Sequence, residues 1–260
     1  MPTITAVLNG YRRPENLSEQ VRALQAQTVQ PSEILVWHNA TGTPAIQPNI
    51  DVMEHSKTAY SNTNFGVWAR FAYALNAKSD YVCIFDDDTI PGSEWFANCL
   101  DTMARSEALL GTIGVLYVDP PAPESSACSY HTNMIKVGWY ETGNNDHRVR
   151  VDFVGHAWFF KREWLSTFWR ELPDPSMNLC GEDMHFSFML QKYLGIPTVV
   201  PPHPRNQKQL WGSTRGEIGN DEQSLWVNDP SDAKGVPFRS AMDQFFVELR
   251  RKGWRLVNDL

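Results

Sequence analysis

The first ninety residues alternate between short apolar runs, rich in β-branched and aromatic side chains, and stretches with helical periodicity. Three of the runs predict buried strands, at residues 3–8, 34–37 and 81–85. A weaker strand candidate lies near residues 50–53. Apolar positions at helical spacing predict two helices with inward faces, one formed by Leu17, Val21 and Leu24 and the other by Trp68, Phe71, Ala72 and Leu75. This alternation predicts an α/β fold with a mostly parallel sheet flanked by helices.

The rest of the chain continues with strands and helices in a less regular order. Strands are predicted at 112–118, 135–139, 151–160 and 198–200, and helices at 93–107 with Ser93 as cap, 162–170, 184–193 and 236–257. Residues 206–235 are polar and dotted with glycine, which is typical of a lid or binding loop. We expect a single domain, with its main part at 1–205 and a flexible loop plus a C-terminal helix at 206–260.

The C-terminal helix is predicted to be amphipathic. Its apolar face consists of Met242, Phe245, Phe246 and Leu249. Packing of this face on the core is the expected arrangement, and contact with a membrane surface or a second copy is the alternative.

Three adjacent carboxylates, Asp86, Asp87 and Asp88, follow the apolar run at 81–85. Adjacent carboxylates repel one another, and ligands of open α/β sheets bind beyond the carboxyl ends of the strands. The cluster therefore predicts a site for Mn²⁺ or Mg²⁺, with a solvated acidic turn as the alternative. An EF-hand loop is excluded, because Ile90 occupies its fifth position, where calcium loops carry Asp or Asn.

A second acidic pair, Glu182 and Asp183, opens the helix predicted at 184–193. Carboxylates in a first helical turn interact favourably with the helix dipole, so one interpretation of the pair is a capping role. The other is a general base, since a carboxylate can take a proton from a reacting hydroxyl.

Composition narrows the classes of partner. The net charge of −7, with no basic stripe, argues against nucleic acid. Four scattered cysteines without a Cys-x-x-Cys pair suggest reduced thiols and a cytoplasmic location. No apolar run is long enough to span a membrane, although peripheral contact stays open. Neither Gly-x-Gly-x-x-Gly nor a P-loop motif occurs, so those two nucleotide sites are not indicated.

Five motifs in order resemble those of GT-A fold (Rossmann-like) glycosyltransferases of the family 2 type. They are Tyr11-Arg12-Arg13-Pro14, Val36-Trp37-His38-Asn39, Asn64 and Gly66 followed by Ala69-Arg70, the acidic triplet at 86–88, and Gly181-Glu182-Asp183. The resemblance spans roughly residues 3–205. A secondary similarity to exostosin-like glycosyltransferases lies at residues 37–39 and 86–89. The Gln-x-x-Arg-Trp signature of processive synthases is absent, which favours transfer of single sugars.

The resemblance implies a role for each matching residue. Tyr11, Arg13 and Asn39 would line the nucleobase and ribose site, with Asn64 and Arg70 nearby. Asp86 would reach the ribose, or share the metal with Asp88, and Asp87 would contact the donor sugar. His203 is a further metal candidate, and Arg205 and Arg215 are candidates for the diphosphate. Asp183 would be the general base, positioned by Glu182. Trp158, Trp211 and Trp226 are the candidate acceptor-stacking side chains.

The implied function is metal-dependent transfer of one sugar from a nucleotide-sugar, with UDP as the expected nucleotide, to a hydroxyl of a glycan or lipid-linked acceptor with inversion. Three alternatives stay open: a retaining exostosin-like transferase, a non-catalytic glycan- or nucleotide-binding module, and a nucleotidyltransferase that releases pyrophosphate. The sequence identifies neither the donor sugar nor the acceptor, because both contacts fall in the loops at 119–150 and 206–235.

Overall fold

A computed structural model describes residues 2–39, 56–140, 142–173, 179–215, 222–232 and 234–259. Its strands are β1 (Ile4–Gly10), β2 (Glu33–His38), β3 (Ser56–Tyr60), β4 (Tyr81–Phe85), β5 (Leu109–Tyr117), β6 (Met134–Val137), β7 (Val149–Val151), β8 (Phe153–Lys161) and β9 (Thr198–Val200). Its helices are α1 (Pro14–Gln25), α2 (Ala69–Tyr73), α3 (Trp95–Arg105), α4 (Leu165–Phe168), α5 (Glu182–Leu194), α6 (Leu225–Asn228) and α7 (Phe238–Arg251). Short 3₁₀ turns lie at Ala74–Asn76, Arg162–Trp164, Lys208–Leu210 and Val257–Asp259.

The strands form a single mixed sheet in the order β3-β2-β1-β4-β8-β5-β9-β7, with β6 paired to β5. β3, β2, β1 and β4 are mutually parallel, and β9 is parallel to β5. β8 runs antiparallel between β4 and β5. The prediction of a mostly parallel α/β sheet flanked by helices is confirmed, and the carboxyl ends of β1, β2 and β4 meet at one edge.

The apolar faces predicted for α1 and α7 are buried. Leu17, Val21 and Leu24 of α1 join the core, as do Met242, Phe245, Phe246 and Leu249 of α7. Burial of such a continuous apolar stripe is the main source of stability for a surface helix. The C-terminal helix therefore packs on the core of the sheet, as expected.

The face of the second helix differs from its prediction. Phe71 is buried, but Ala72 is exposed and Leu75 is 58% exposed, so the inward assignment of these two is wrong. α2 ends at Tyr73 and passes into the 3₁₀ turn Ala74–Asn76, in which Ala74 is buried in place of Leu75.

Two predicted boundaries also differ. Ser93 does not cap α3, which begins at Trp95; the Ser93 carbonyl instead accepts a backbone hydrogen bond from Thr28 at 2.8 Å. The strand predicted at 151–160 is interrupted at Asp152. Its carboxylate accepts backbone N–H bonds from Tyr117 at 2.7 Å and Val257 at 2.6 Å, which ties the chain terminus to the sheet. The weak strand candidate at 50–53 lies outside the described residues.

All four cysteines, Cys83, Cys99, Cys128 and Cys180, are buried free thiols. Among the described residues, no helix combines the length and apolar character needed to cross a bilayer.

Candidate active site

A cavity of about 340 Å³ opens at the edge where β1, β2 and β4 end. Its lining includes the predicted residues Tyr11, Arg13, Asn39, Asn64, Arg70, Asp86, Asp87, Asp88, Trp158, Glu182, Asp183 and Trp226. One cavity thus brings together residues from the ends of β1 and β4 and from the start of α5. The end of β1 and the start of α5 are more than a hundred positions apart in sequence.

The acidic triplet is fixed through its backbone by the first turns of α1. The Asn16 side-chain amide donates to the Asp87 carbonyl at 2.8 Å. The Gln20 amide donates to the carbonyls of Asp86, at 2.6 Å, and Thr89, at 3.1 Å. These bonds satisfy main-chain carbonyls of the segment and hold the three carboxylates at the cavity.

Arg13 lies against the triplet. Its Nη1 atom is 2.7 Å from Asp87 Oδ1 and 3.6 Å from Asp88 Oδ2, and all three side chains are at least nine-tenths buried. Burial and the neighbouring Asp88 charge raise the pKa of Asp87 to about 6, against the opposing effect of Arg13. Burial acts in the same sense on Asp88, but His156 and Arg13 outweigh it and lower the pKa of Asp88 to about 2.

His156 of β8 is the third member of a potential metal site with Asp86 and Asp88. One ligand atom from each of the three lies within 4.8 Å of the others. The buried Nδ1 atom of His156 has no hydrogen-bond partner and is 3.8 Å from Asp88 Oδ1. Burial alone would lower the pKa of this imidazole, but Asp88 and Asp86 raise it.

The backbone holds His156 in an uncommon conformation. Its φ is +65°, in the left-handed region that non-glycine residues seldom adopt, while its carbonyl accepts hydrogen bonds from Asp86 N and Thr89 Oγ1, both at 2.9 Å. Such strain persists where the surrounding structure imposes it, and it clusters at functional sites.

Arg70 joins the two acidic motifs. Its Nη2 atom is 2.9 Å from Asp86 Oδ1 and 2.8 Å from Glu182 Oε1, and its guanidinium lies 4.9 Å from the centre of the Trp158 ring. Burial opposes its charge, but the carboxylates, Asp86 first, raise the pKa of Arg70. Burial raises the pKa of Glu182 to about 8, and the charges of Asp183 and Asp86 add to this effect against the opposing charge of Arg70.

Asp183 stands at the first turn of α5 and is only partly buried. Its Oδ1 atom accepts the Met184 N–H at 2.7 Å. Burial raises the pKa of Asp183 to about 6, with the nearby Asp86 charge adding to the effect. The helix begins after Gly181, whose φ is +94° and whose missing Cβ would lie 2.6 Å from the Phe245 ring. A carboxylate with this pKa is suited to take up a proton near neutral pH.

A polar network lines the other end of the cavity. Asn39 Nδ2 donates to Asn64 Oδ1 at 2.7 Å, and Asn64 Nδ2 donates to the Tyr11 hydroxyl at 3.0 Å. The Phe65 backbone N–H donates to Asn39 Oδ1 at 2.9 Å. The network presents amide and phenol groups in fixed orientations, which suits hydrogen bonding to a heterocyclic base or a ribose.

The cavity carries an excess of negative charge. Five carboxylates (Asp86, Asp87, Asp88, Glu182 and Asp183) line it, against the cations Arg13, Arg70 and Lys136 and the imidazole of His156, counting only residues that the structure describes. Buried charges need partners. The imbalance favours binding of a cation or uptake of protons.

Four predicted residues do not line this cavity. Trp211 is fully buried, stacked on His203 with ring centres 4.2 Å apart, and donates its indole N–H to the Pro204 carbonyl. His203 bonds through Nε2 to the Tyr140 carbonyl, and burial lowers its pKa to about 4. Both rings therefore pack on each other outside the cavity lining, and the structure brings neither of them to the acidic triplet.

The two arginines predicted for the diphosphate also lie elsewhere. Arg215 binds α1 through Asn16 Oδ1 at 2.8 Å and Glu19 Oε2 at 2.9 Å, and Arg205 is exposed outside the lining. Residues 216–221, which follow Arg215, lie outside the described residues, so a role of these arginines at a diphosphate stays a prediction.

Sequence reasoning missed several lining residues, namely Asn9, Tyr130, Lys136, Trp139 and, above all, His156. Trp158, two residues after His156, is predicted for the site, but His156 itself is not. A polar residue inside an otherwise apolar strand was the available signal, because a buried strand seldom carries an unpartnered imidazole.

Comparison with known proteins agrees with this architecture. A model of glycosyl transferase family 2 matches residues 5–169. Staphylococcus aureus TarS is structurally similar, with a TM-score of 0.51 and 12% identity over 77% of this chain and 35% of TarS. A mannosyltransferase, PcManGT from Pyrobaculum calidifontis, solved in complex with GDP-Man and Mn²⁺, has a TM-score of 0.48 and 19% identity over 77% of this chain and 55% of its own.

The chain thus matches about a third of one of these proteins and about half of the other. No curated protein matches it. The likeness to TarS shows the fold, and the family model covers more than half of the sequence. The chain belongs to glycosyl transferase family 2.

Proposed function

We propose that the protein is a metal-dependent glycosyltransferase that moves one sugar from a nucleotide-sugar to an acceptor hydroxyl with inversion. The observation that carries the proposal is the convergence, in one cavity, of the acidic triplet with Asp183 through the shared guanidinium of Arg70. One end of this arrangement suits a nucleotide diphosphate, and the other supplies a base.

The nucleotide would occupy the polar end of the cavity. The Tyr11–Asn64–Asn39 network offers hydrogen-bond donors and acceptors there. This supports the nucleobase and ribose roles of these residues. UDP as the nucleotide, and a cytoplasmic location, stay predictions.

The acidic residues fit a divalent metal. Asp86, Asp88 and the orphaned Nδ1 of His156 form a compact set of two carboxylates and one imidazole, a donor set that Mn²⁺ accepts. We assign the third ligand to His156 in place of His203. A metal bound there would act as a Lewis acid toward the diphosphate leaving group.

The base would be Asp183. Its carboxylate takes the proton of the acceptor hydroxyl while the acceptor oxygen bonds to the anomeric carbon and the bond to the diphosphate oxygen breaks. Attack opposite the leaving group inverts the configuration. Glu182, paired with Arg70 at 2.8 Å, fixes the start of α5 and so orients Asp183.

A thermal-shift titration with Mn²⁺ and a panel of UDP- and GDP-sugars tests the site. A bound ligand stabilises the fold by mass action. We expect Mn²⁺ to raise the melting temperature of the wild type, and to raise it less in Asp88→Asn and His156→Asn. Asn tolerates the left-handed backbone at position 156. His147→Ala, at an exposed histidine, is the matched control and keeps the full shift.

Product analysis tests the reaction. The proposal requires nucleoside diphosphate release coupled to a new glycosidic bond of inverted configuration, read by NMR. Retention would favour the exostosin-like alternative, and pyrophosphate release a nucleotidyltransferase. Release that persists in both Asp88→Asn and Asp183→Asn would contradict the mechanism.

A further inference from the structure

One part of the cavity lining has a different chemical character from the polar network of Tyr11, Asn39 and Asn64. Its walls are the apolar side chains of Ile113, Val115, Tyr130, Met134, Phe153, Trp226, Phe238 and Met242, which we call the apolar compartment. Five of the elements described above contribute to it: β5, β6, β8, α6 and α7.

One wall is a continuous face of the sheet. Val115 of β5 is paired with Phe153 of β8, and Ile113 with Gly155, while Met134 of β6 is paired with Tyr117. Side chains two residues apart in a strand share a face, so Ile113 and Val115 stand side by side.

The opposite wall is built from α6, α7 and Tyr130. The Tyr130 ring lies 6.1 Å from Phe153 and 6.1 Å from Trp226, and Trp226 lies 6.4 Å from Phe238. Met242 is one turn after Phe238 on the same helix. Aromatic contacts therefore connect the two walls around the compartment.

The compartment adjoins the reacting groups. Gly155, paired with Ile113, directly precedes His156 in β8. On the other wall, Phe245 of α7 contacts the position of the missing Gly181 side chain, one residue before Glu182. A molecule whose hydroxyl reaches Asp183 would thus place its neighbouring atoms against apolar walls.

We propose that the apolar compartment binds a hydrocarbon or aromatic group of the acceptor, next to the hydroxyl that attacks the donor. The inference rests on the proposed function and specifies its acceptor as an amphipathic molecule rather than a free sugar. Of the eight side chains that form the compartment, only Tyr130 and Trp226 carry an O–H or N–H group, and Lys136, paired with Val115, is a further polar group that lines the cavity. A free sugar would bury more ring hydroxyls than these groups can pair with, and unpaired hydroxyls are costly to bury. An alkyl or phenyl group needs no such partners and gains from leaving water.

The first test compares matched acceptors. Methyl, hexyl and phenyl β-glycosides of glucose, galactose and N-acetylglucosamine are assayed with Mn²⁺ and the donors that shift the melting temperature, by nucleoside diphosphate release. A buried methylene contributes about 0.8 kcal/mol, about fourfold in affinity. We expect kcat/KM for a hexyl or phenyl glycoside to exceed that of the methyl glycoside at least tenfold. Equal values for the three would overturn the inference and leave the proposed function intact.

A second readout is independent of transfer. Trp139 and Trp226 line the cavity, so quenching of tryptophan fluorescence reports glycoside binding without a donor. The hexyl glycoside is expected to bind at least tenfold more tightly than the methyl glycoside. If no donor binds and no nucleotide is released, the proposed function fails, and this titration still decides the inference.

Neighbouring residues provide matched variants. Met134 lines the compartment, whereas Ile135, the next residue of β6, is 51% exposed and does not. Met134→Lys places a charge in the compartment and should reduce the hexyl-to-methyl ratio to near one, and Ile135→Lys should retain it. Should Met134→Lys fail to fold, Trp226→Ala with Val227→Ala as its control makes the same comparison. An unchanged ratio in the Met134 and Trp226 variants would contradict the assignment.

Discussion

Asp183 is the residue on which the proposed chemistry depends most. Asp183→Asn keeps the size of the side chain and an oxygen for the Met184 N–H, but it cannot take a proton. We expect kcat to fall at least a hundredfold, within the range assigned to general bases, with nucleotide-sugar binding unchanged. Single-turnover kinetics with a binding titration check this, and transfer at the wild-type rate would remove Asp183 from the mechanism.

The pH dependence of kcat should report the same carboxylate. Burial raises the pKa of Asp183 to about 6, and only its ionised form accepts a proton. Activity at saturating donor should therefore be full above this pH and fall about tenfold for each unit below it. Asp183→Glu should keep an acid limb, displaced along the pH axis. A profile flat down to pH 5 would contradict the role.

Removal of Arg70 should destabilise the fold, because two carboxylates depend on its charge. Arg70→Met leaves the buried carboxylate of Glu182 and the partly buried one of Asp86 without their cation, so we expect a loss of about 3–5 kcal/mol in unfolding free energy. Arg105→Met, which removes an exposed pair with Asp101, should cost less than 1 kcal/mol. Urea denaturation measures the unfolding free energy of both variants. Equal losses would show that burial of the Arg70 ion pairs does not increase their contribution.

At the scale of elements, the start of α5 is set by a glycine. Gly181→Ala forces a Cβ to 2.6 Å from the Phe245 ring at a φ of +94°, so the helix start must shift and displace Asp183. Gly195, at the other end of α5, also has a positive φ but open space around its missing Cβ. Gly195→Ala should cost only about 1 kcal/mol with kcat kept, whereas Gly181→Ala should lower kcat as well.

Periodicity located most elements, because buried strands and amphipathic helices leave strong local patterns. It could not indicate that β8 runs antiparallel between β4 and β5, since pairing depends on contacts distant in sequence. The candidate site could be predicted only in part for the same reason, because it also depends on contacts between residues distant in sequence. Motif residues such as Asp86 and Asp183 were recognisable, while His156 enters the cavity only through the path of β8. His203 was predicted as a candidate metal ligand, but its ring stacks on Trp211 outside the cavity lining.

At the scale of the whole molecule, α7 should unfold together with the sheet. Phe246 is 2% exposed and packs 4.8 Å from Tyr117 of β5. Phe246→Ala should lower the unfolding free energy by about 3–5 kcal/mol, and Gln244→Ala, on the exposed face of α7, by less than about 0.5 kcal/mol. Circular dichroism and tryptophan fluorescence should follow one common transition. Two separate transitions would show that residues 206–260 form a unit of their own.

The insertion of β8 beside β4 also has a consequence for how the chain folds. β4 ends at Phe85, and its partner Ala157 is synthesised some seventy residues later. Until then one edge of the four parallel strands has no neighbour, and an open apolar edge can pair with other chains. Non-local pairing of this kind also slows folding. A ribosome-bound chain that ends before β8 should therefore be prone to aggregation, and the proposed metal site can form only once His156 has emerged.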